Sequence, residues 1–305
     1  MAMALIVHGG AGDIQPGRHD LSLAGSRAAV LAGWDILQNG GSALEAAMRA
    51  VVALEDNPNF NAGTGSTLNV NGEVELDAGM MDGATLDVGA IASVTRIKNP
   101  ILLARLVLKS PHVLLTSEGA ERFAQEEGMA LCRQEELVTQ AQLERWRRGY
   151  RPGDGVGVSA SDEAAEGAEK HGTVGAVAID SDGHIAAATS TGGMANKHPG
   201  RVGDSPLVGC GFYAEDGLGG VSSTGHGEYF VRLLLARRAC EFLALGMSAQ
   251  AAAQAAIRLL AERLGGDGGL ILIDRQGQVG FAHNTPHMSY GYLVEGMETP
   301  VVGIE

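Results

Sequence analysis

Residues 166–180 read "EGAEKHGTVGAVAID", and the fold turns on what happens at the threonine in the middle. Upstream, residues 151–172 ("RPGDGVGVSASDEAAEGAEKHG") are rich in Gly, Ala, Ser, Asp and Glu and show no apolar period, the composition of a loop. Downstream, Thr173–Ile179 is apolar and partly β-branched, which predicts a buried strand. Two readings of this junction stand. In one it is an ordinary loop-to-strand boundary. In the other the Gly172–Thr173 bond is cut and Thr173 becomes a chain terminus. A threonine hydroxyl is a poor nucleophile until a base takes its proton, and a free α-amine on the same residue can be that base. Such an amine titrates near about pH 8, so it needs little tuning. Gly172, with no side chain, leaves the carbonyl before the bond open to attack by the neighbouring hydroxyl.

The totals restrict the options. A chain of 305 residues can bury a real core. Its 45 glycines are roughly twice average usage and follow no Gly-X-Y period, which points to many tight turns and close backbone approaches. The 22 basic and 36 acidic residues leave a net charge of −14. The short "RWRRGYR" at 145–151 reads as the favourable end of a helix, so nucleic acid is not the expected partner. Cys132, Cys210 and Cys240 are widely spaced and form no CxxC, which argues against a disulfide framework or a zinc site and for the reducing cytoplasm. The start, "MAMALIVHGGAG", has no basic stretch before its short apolar run and reads as a first strand, not a signal peptide. No run approaches the roughly 20 apolar residues of a membrane span.

Along the chain, a strand is predicted at 4–7 and a helix at about 24–38, closed by Asn39-Gly40-Gly41. Ser42-x-x-Glu45 is a capping box that opens a second helix, which stops before Pro58. The segment 61–83 alternates and is punctuated by glycine, as strands and turns are. Further helices are expected from Asn99-Pro100, near 117–127 and 139–149, over 227–245, and over 248–264 behind Ser248. Two hairpins are expected, pairing 173–179 with 184–189 and 269–273 with 278–282. Strands and helices that do not alternate strictly predict an α+β fold of sheets covered by helices.

The motifs around Thr173 add a resemblance. "HGGAG" (8–12), "NAGTG" (61–65), "ELDAGMMDG" (75–83), "HGTVGAVA" (171–178), "ATSTGG" (188–193), "RVGDSP" (201–206) and "SSTGHGE" (222–228) together resemble the plant-type (class 2) L-asparaginases with isoaspartyl-peptidase activity. These belong to the N-terminal-nucleophile (Ntn) hydrolases. The likeness runs nearly end to end. It implies a single domain over 1–305 with a four-layer αββα sandwich. Autocleavage would divide it into an α subunit, 1–172, with a linker at about 150–172, and a β subunit, 173–305. Two such αβ units would pair as an (αβ)₂ homodimer.

What the resemblance implies for the site goes residue by residue. Thr173 would be the nucleophile, and Thr191 would orient its hydroxyl. Arg201 and Asp204 would hold the α-carboxylate and the ammonium of an amino-acid substrate. The chemistry is apt, because an Arg fork takes a carboxylate bidentately. Thr224 and Gly225 would form the oxyanion hole through a hydroxyl and a backbone N–H. Asn61 would lie beside the nucleophile. Main-chain carbonyls of Leu54, Glu55, Asn57, Phe60, Ala62 and Thr64 would surround a structural sodium ion, with no cofactor in the chemistry. Each residue also has a plainer reading: a turn threonine at 191, a surface Arg-x-x-Asp ion pair, a helix cap at Thr224, an Asn-Ala-Gly turn at 61. His8, His171 and His226 each adjoin glycine but show no HExxH spacing, so they read as packing or loop residues. "HGGAGD" lacks the GxxxxGK[ST] of a phosphate loop, and its glycines read as permitting backbone crowding near the site.

The expected activity is hydrolysis of L-asparagine and of β-aspartyl dipeptides, one site serving both because the aspartyl moiety is common to them. Other readings are a glycosylasparaginase-like or taspase-like Ntn hydrolase. A relative that binds small molecules but never matures would not need the hydroxyls of Thr173, Thr191 and Thr224 together.

Overall fold

The computed structural model describes residues 2–149 and 172–304. The linker expected at about 150–172 therefore lies outside the described residues except for Gly172, as does His171. Among those described, a large sheet is built from β1 (Ala4–Gly12), β2 (Leu76–Asp82), β3 (Val88–Val94), β4 (Leu114–Thr116), β5 (Val174–Ile179), β6 (Ile185–Thr191), β11 (His287–Val294) and β12 (Val301–Gly303). Its strand order is β12-β11-β1-β5-β6-β2-β3-β4. A smaller antiparallel sheet runs in the order β10 (Val279–His283), β9 (Gly268–Asp274), β8 (Gly219–Gly225), β7 (Phe212–Glu215). Only the short β3–β4 pairing is parallel among the described ladders.

Strand alternation builds the layers. Along β1, Leu5 and Val7 point to the helices α1 (His19–Gln38) and α2 (Ala43–Glu55), while Ala4 and Ile6 point to the other sheet. Along β5, Val174, Ala176 and Ala178 take the helix side, and Val177 and Ile179 the inter-sheet side. Along β9, Leu270 and Leu272 pack under α7 (Leu235–Ala244) and α8 (Ala249–Leu264), and Ile271 and Ile273 face the large sheet. With α3 (Pro100–Leu108) also on the outer face of the large sheet, the order is helices, sheet, sheet, helices. This is the αββα sandwich of an α+β fold.

Local signals act where they were expected. Ser42 caps α2 by accepting from Glu45 N–H at 3.3 Å, and Ser248 caps α8 by accepting from Ala251 N–H at 3.3 Å. Pro100 sits in the first turn of α3. The hairpin turn at Asp180 is held by its own side chain, which accepts from Asp182 and His184 N–H. Helices α4 (Ser117–Glu126) and α5 (Gln140–Gly149) complete the first half. Two expectations change. Strand β1 continues through the glycine-rich stretch to Gly12, because β11 pairs with it around a bulge between His8 and Gly10. The single helix expected over 227–245 is two, α6 (Gly227–Leu233) and α7, separated by Leu234 in the left-handed conformation. No described helix is long and apolar enough to cross a membrane.

Candidate active site

The site lies on the seam between the sheets. In the β5–β6 register Val174 faces Ser190 and Gly175 faces Thr189, so Thr173 stands opposite Thr191 one step further on. Across the next ladder Thr191 pairs with Asp77 of β2. Alternation turns Thr173, Thr189, Thr191 and Asp77 to the inter-sheet side, since their neighbours Val174, Ala188 and Leu76 belong to the helix-side core. In the facing sheet, Val221 of β8 packs under the outer helices, so by alternation Ser222 and Thr224 point the other way, back at them. Two sheets thus bring hydroxyls from distant parts of the chain to one place.

Thr173 is buried, and its hydroxyl meets that of Ser205 at 3.0 Å. Ser205 is held from behind, its carbonyl accepting from the Thr189 hydroxyl at 2.7 Å. The Thr191 hydroxyl accepts from Gly193 N–H at 3.0 Å and pins the turn after β6. The Asn61 carboxamide locks the same turn, donating to the Gly193 carbonyl at 2.7 Å and accepting from Thr67 N–H at 2.9 Å.

Gly172 is wedged against the facing sheet. A Cβ there would strike the Thr224 hydroxyl and come within 2.6 Å of Ala11 N, and a Cβ on Gly10 would lie 2.9 Å from Gly172 N. The crowding read from "HGGAGD" is therefore found at the Gly172–Thr173 peptide itself, and a recess lined by Gly9, Gly10, Ala11, Phe60 and Gly172 opens beside it. The Thr224 hydroxyl accepts from Ala11 N–H at 3.2 Å. Gly225 has φ of +146° and passes so close to the β9 backbone that a Cβ would lie 2.7 Å from Gly268 Cα.

The charged groups sit together at one end. Asp204 is buried, and its Oδ2 has no hydrogen-bond partner among the described residues. Burial raises its pKa to about 7, with the Arg201 guanidinium pulling against that rise. Arg201 turns not to Asp204 but to Glu228, with Nε donating to Oε1 at 2.8 Å and Nη2 to Oε2 at 2.6 Å. Burial also raises the Asp77 carboxyl and lowers the Lys197 ammonium, and each charge offsets the other's shift. Lys197 donates to the Glu75 carbonyl at 2.9 Å.

Motif reading did not single out Ser205, Asp77, Lys197 and Glu228. Three of these lie inside quoted motifs, but nothing in the linear order says which side chains face inward. His8 is buried between the sheets, its Nε2 2.7 Å from the Ser222 hydroxyl, and burial lowers its pKa to about 3. It is a neutral packing residue, as its sequence context indicated.

The loop 54–64 closes on itself. Thr64 N–H donates to the Glu55 carbonyl at 2.9 Å, and Phe60 N–H to the Asn57 carbonyl at 3.1 Å. Of the six carbonyls expected to hold sodium, those of Leu54, Glu55 and Asn57 each accept a backbone N–H, from Asn57, Thr64 and Phe60, and each keeps a second lone pair.

A family model described as Asparaginase matches residues 1–302. The chain belongs to the asparaginase family. It is 46% identical over 297 residues to an isoaspartyl peptidase/L-asparaginase of Danio rerio, covering 97% of this chain and 94% of the relative. It is 45% identical over 310 residues to a plant-type L-asparaginase of Pyrococcus abyssi, covering 99% and 100%. An isoaspartyl peptidase/L-asparaginase of Mus musculus is 44% identical over 279 residues, covering 91% and 83%. The layered fold is that of an Ntn hydrolase, as the motifs implied.

Proposed function

We propose that this asparaginase-family chain is an amidohydrolase. Thr173, freed by cleavage of the Gly172–Thr173 bond, would hydrolyse the side-chain amide of L-asparagine and the β-linkage of isoaspartyl dipeptides. The observation that carries the reading is the peptide itself: a glycine wedged against Thr224, followed by a buried threonine hydroxyl on the inter-sheet face. The names of the relatives support the substrate class.

In this reading the Thr173 hydroxyl attacks the side-chain carbonyl carbon while the α-amine takes the proton. The negative oxygen of the tetrahedral intermediate would accept from the Thr224 hydroxyl and the Gly225 N–H, since an oxyanion hole needs donors directed at where the charge develops. Collapse expels ammonia or an amino acid, which leaves with the proton. Water then cleaves the β-aspartyl ester and releases aspartate. Arg201 takes the α-carboxylate and Asp204 the ammonium. The buried, unpartnered Asp204 Oδ2 supports that role, because an arriving cation restores the interaction that burial removed.

The chain would then consist of an α subunit, 1–172, and a β subunit, 173–305. A structural sodium ion on the carbonyls of Leu54, Glu55, Asn57, Phe60, Ala62 and Thr64 belongs to the same reading. Its support is the closed loop, and no step passes through it. Pairing of two αβ units and residence in the cytoplasm rest on the resemblance and on the cysteine usage.

The test is intact mass under denaturing conditions, for wild type and Thr173→Ala. The expected result is two chains split before Thr173 in the wild type and one uncut, inactive chain in the variant. A wild-type chain that stays whole, or a variant that is cut, would sink the reading.

A further inference from the structure

The Arg-x-x-Asp spacing pairs Arg201 with Asp204, yet the fold gives Arg201 another partner. Glu228 takes its Nε/Nη2 edge in a bidentate pair, and His226 Nε2 stands 3.2 Å behind, at Glu228 Oε2. A guanidinium carries two forked edges. With the side edge used, the Nη1/Nη2 end remains. Nη1 lies toward Gly203, where an added Cβ would sit 2.9 Å from it, next in the chain to Asp204. The Arg201 side chain is only 16% exposed, whereas that of Glu228 is 47% exposed, so Glu228 is the partner nearer solvent.

The backbones of the two carboxylates are locked together as well. Gly227, immediately before Glu228, is pressed on Asp204 Oδ1 and on Gly203 Cα, so no side chain fits between them. Without Glu228, Asp204, a buried carboxyl with no partner for its Oδ2 among the described residues, would lie within electrostatic reach of the guanidinium. The clamp would then close on itself, and both of its charges would be lost to substrate.

We propose that Glu228 is the positioning residue of the substrate clamp. It holds Arg201 by one edge, keeps it off Asp204, and presents the other edge to the α-carboxylate of an aspartyl substrate. This rests on the reading of Arg201 and Asp204 given above. The opposite idea, that Glu228 imitates the substrate carboxylate and must be displaced, predicts a lowered KM on its removal; the hold on the Nε/Nη2 edge, with Nη1 lying toward Gly203, favours positioning.

The experiment compares wild type, Glu228→Gln, Arg201→Lys and the double variant, with L-asparagine as substrate and two-chain maturation checked by intact mass. Glu228→Gln should raise KM about tenfold, with kcat falling less than KM rises. The double variant should be no worse than Arg201→Lys alone, because Glu228 acts through Arg201. Binding of L-aspartate by calorimetry to each variant in a Thr173→Ala background reads the clamp whether or not the chain is cut, and should weaken by the same factor. An uncut wild type would overturn the functional reading while leaving this binding result to judge Glu228. Unchanged KM and aspartate affinity, a lowered KM (a displaced competitor), or additive penalties in the double variant would each overturn the proposal.

Discussion

At Asp204 the electrostatics of the site become measurable. Burial raises its pKa to about 7, so its charge changes near neutrality before substrate arrives. In its proposed role the ionised carboxylate is the form that pairs in charge with an ammonium, so this group should make kcat/KM rise as pH climbs through about 7. In the proposed mechanism the freed Thr173 amine should add a second rise near about pH 8, since it must be unprotonated to act as base. The acid limb of a kcat/KM profile should therefore steepen towards two protons below pH 7. Asp204→Asn should lower kcat/KM by about one to two orders of magnitude and leave a one-proton limb. A one-proton limb in the wild type would take Asp204 out of binding. The charges of "RVGDSP" were legible as a motif, and so was their chemistry. Glu228 as the partner of Arg201 was not, because 27 residues separate them and only the β8–α6 turn brings them together.

Among the elements, α6 and α7 best show how tertiary contacts overrule a local pattern. The apolar run Leu233-Leu234-Leu235 shows no breaker, yet Leu234 adopts φ of 52° and ψ of 49°. The break frees the first N–H groups of α7 to reach the loop before β7. Ala236 N–H donates to the Cys210 carbonyl at 3.2 Å and Arg237 N–H to the Gly209 carbonyl at 3.0 Å. A left-handed leucine costs about 1 kcal/mol, and Leu234 is 53% exposed, so little packing is at stake. Leu234→Gly should raise the melting temperature by about 1–3 °C in calorimetry. A fall instead would mean that the side chain contributes more than the strain it relieves. By contrast, the caps of α2 and α8 and the turn at Asp180 were legible because their signals lie within three or four residues of what they act on.

At the scale of the whole molecule, the seam between the sheets carries both stability and chemistry. Phe212 of β7 is fully buried there, its ring lying where a Cβ on Gly79 of β2 would be. Phe212→Ala removes an aromatic plug between the sheets and should cost about 3–5 kcal/mol in urea unfolding. A loss below about 1 kcal/mol would mean that the sheets close over the gap. The same two layers position the residues of the proposed site: Thr173 and Thr191 come from one sheet and Thr224 from the other. A shift of one sheet against the other would therefore be felt by stability and by the site together.

What the sequence alone determined is what short-range chemistry encodes. It marked Thr173 as the start of a buried strand, set the periods of most helices and hairpins, and supplied motifs specific enough to point to the family and its αββα layers. What only the tertiary structure decided is which side chains meet: the Thr173 hydroxyl with Ser205, Thr224 against Gly172, and Arg201 with Glu228. Alternation says that every second residue of a strand faces one side. Which side is the seam, and what stands across it, depends on strand order and sheet packing, and these bring together residues far apart in the chain.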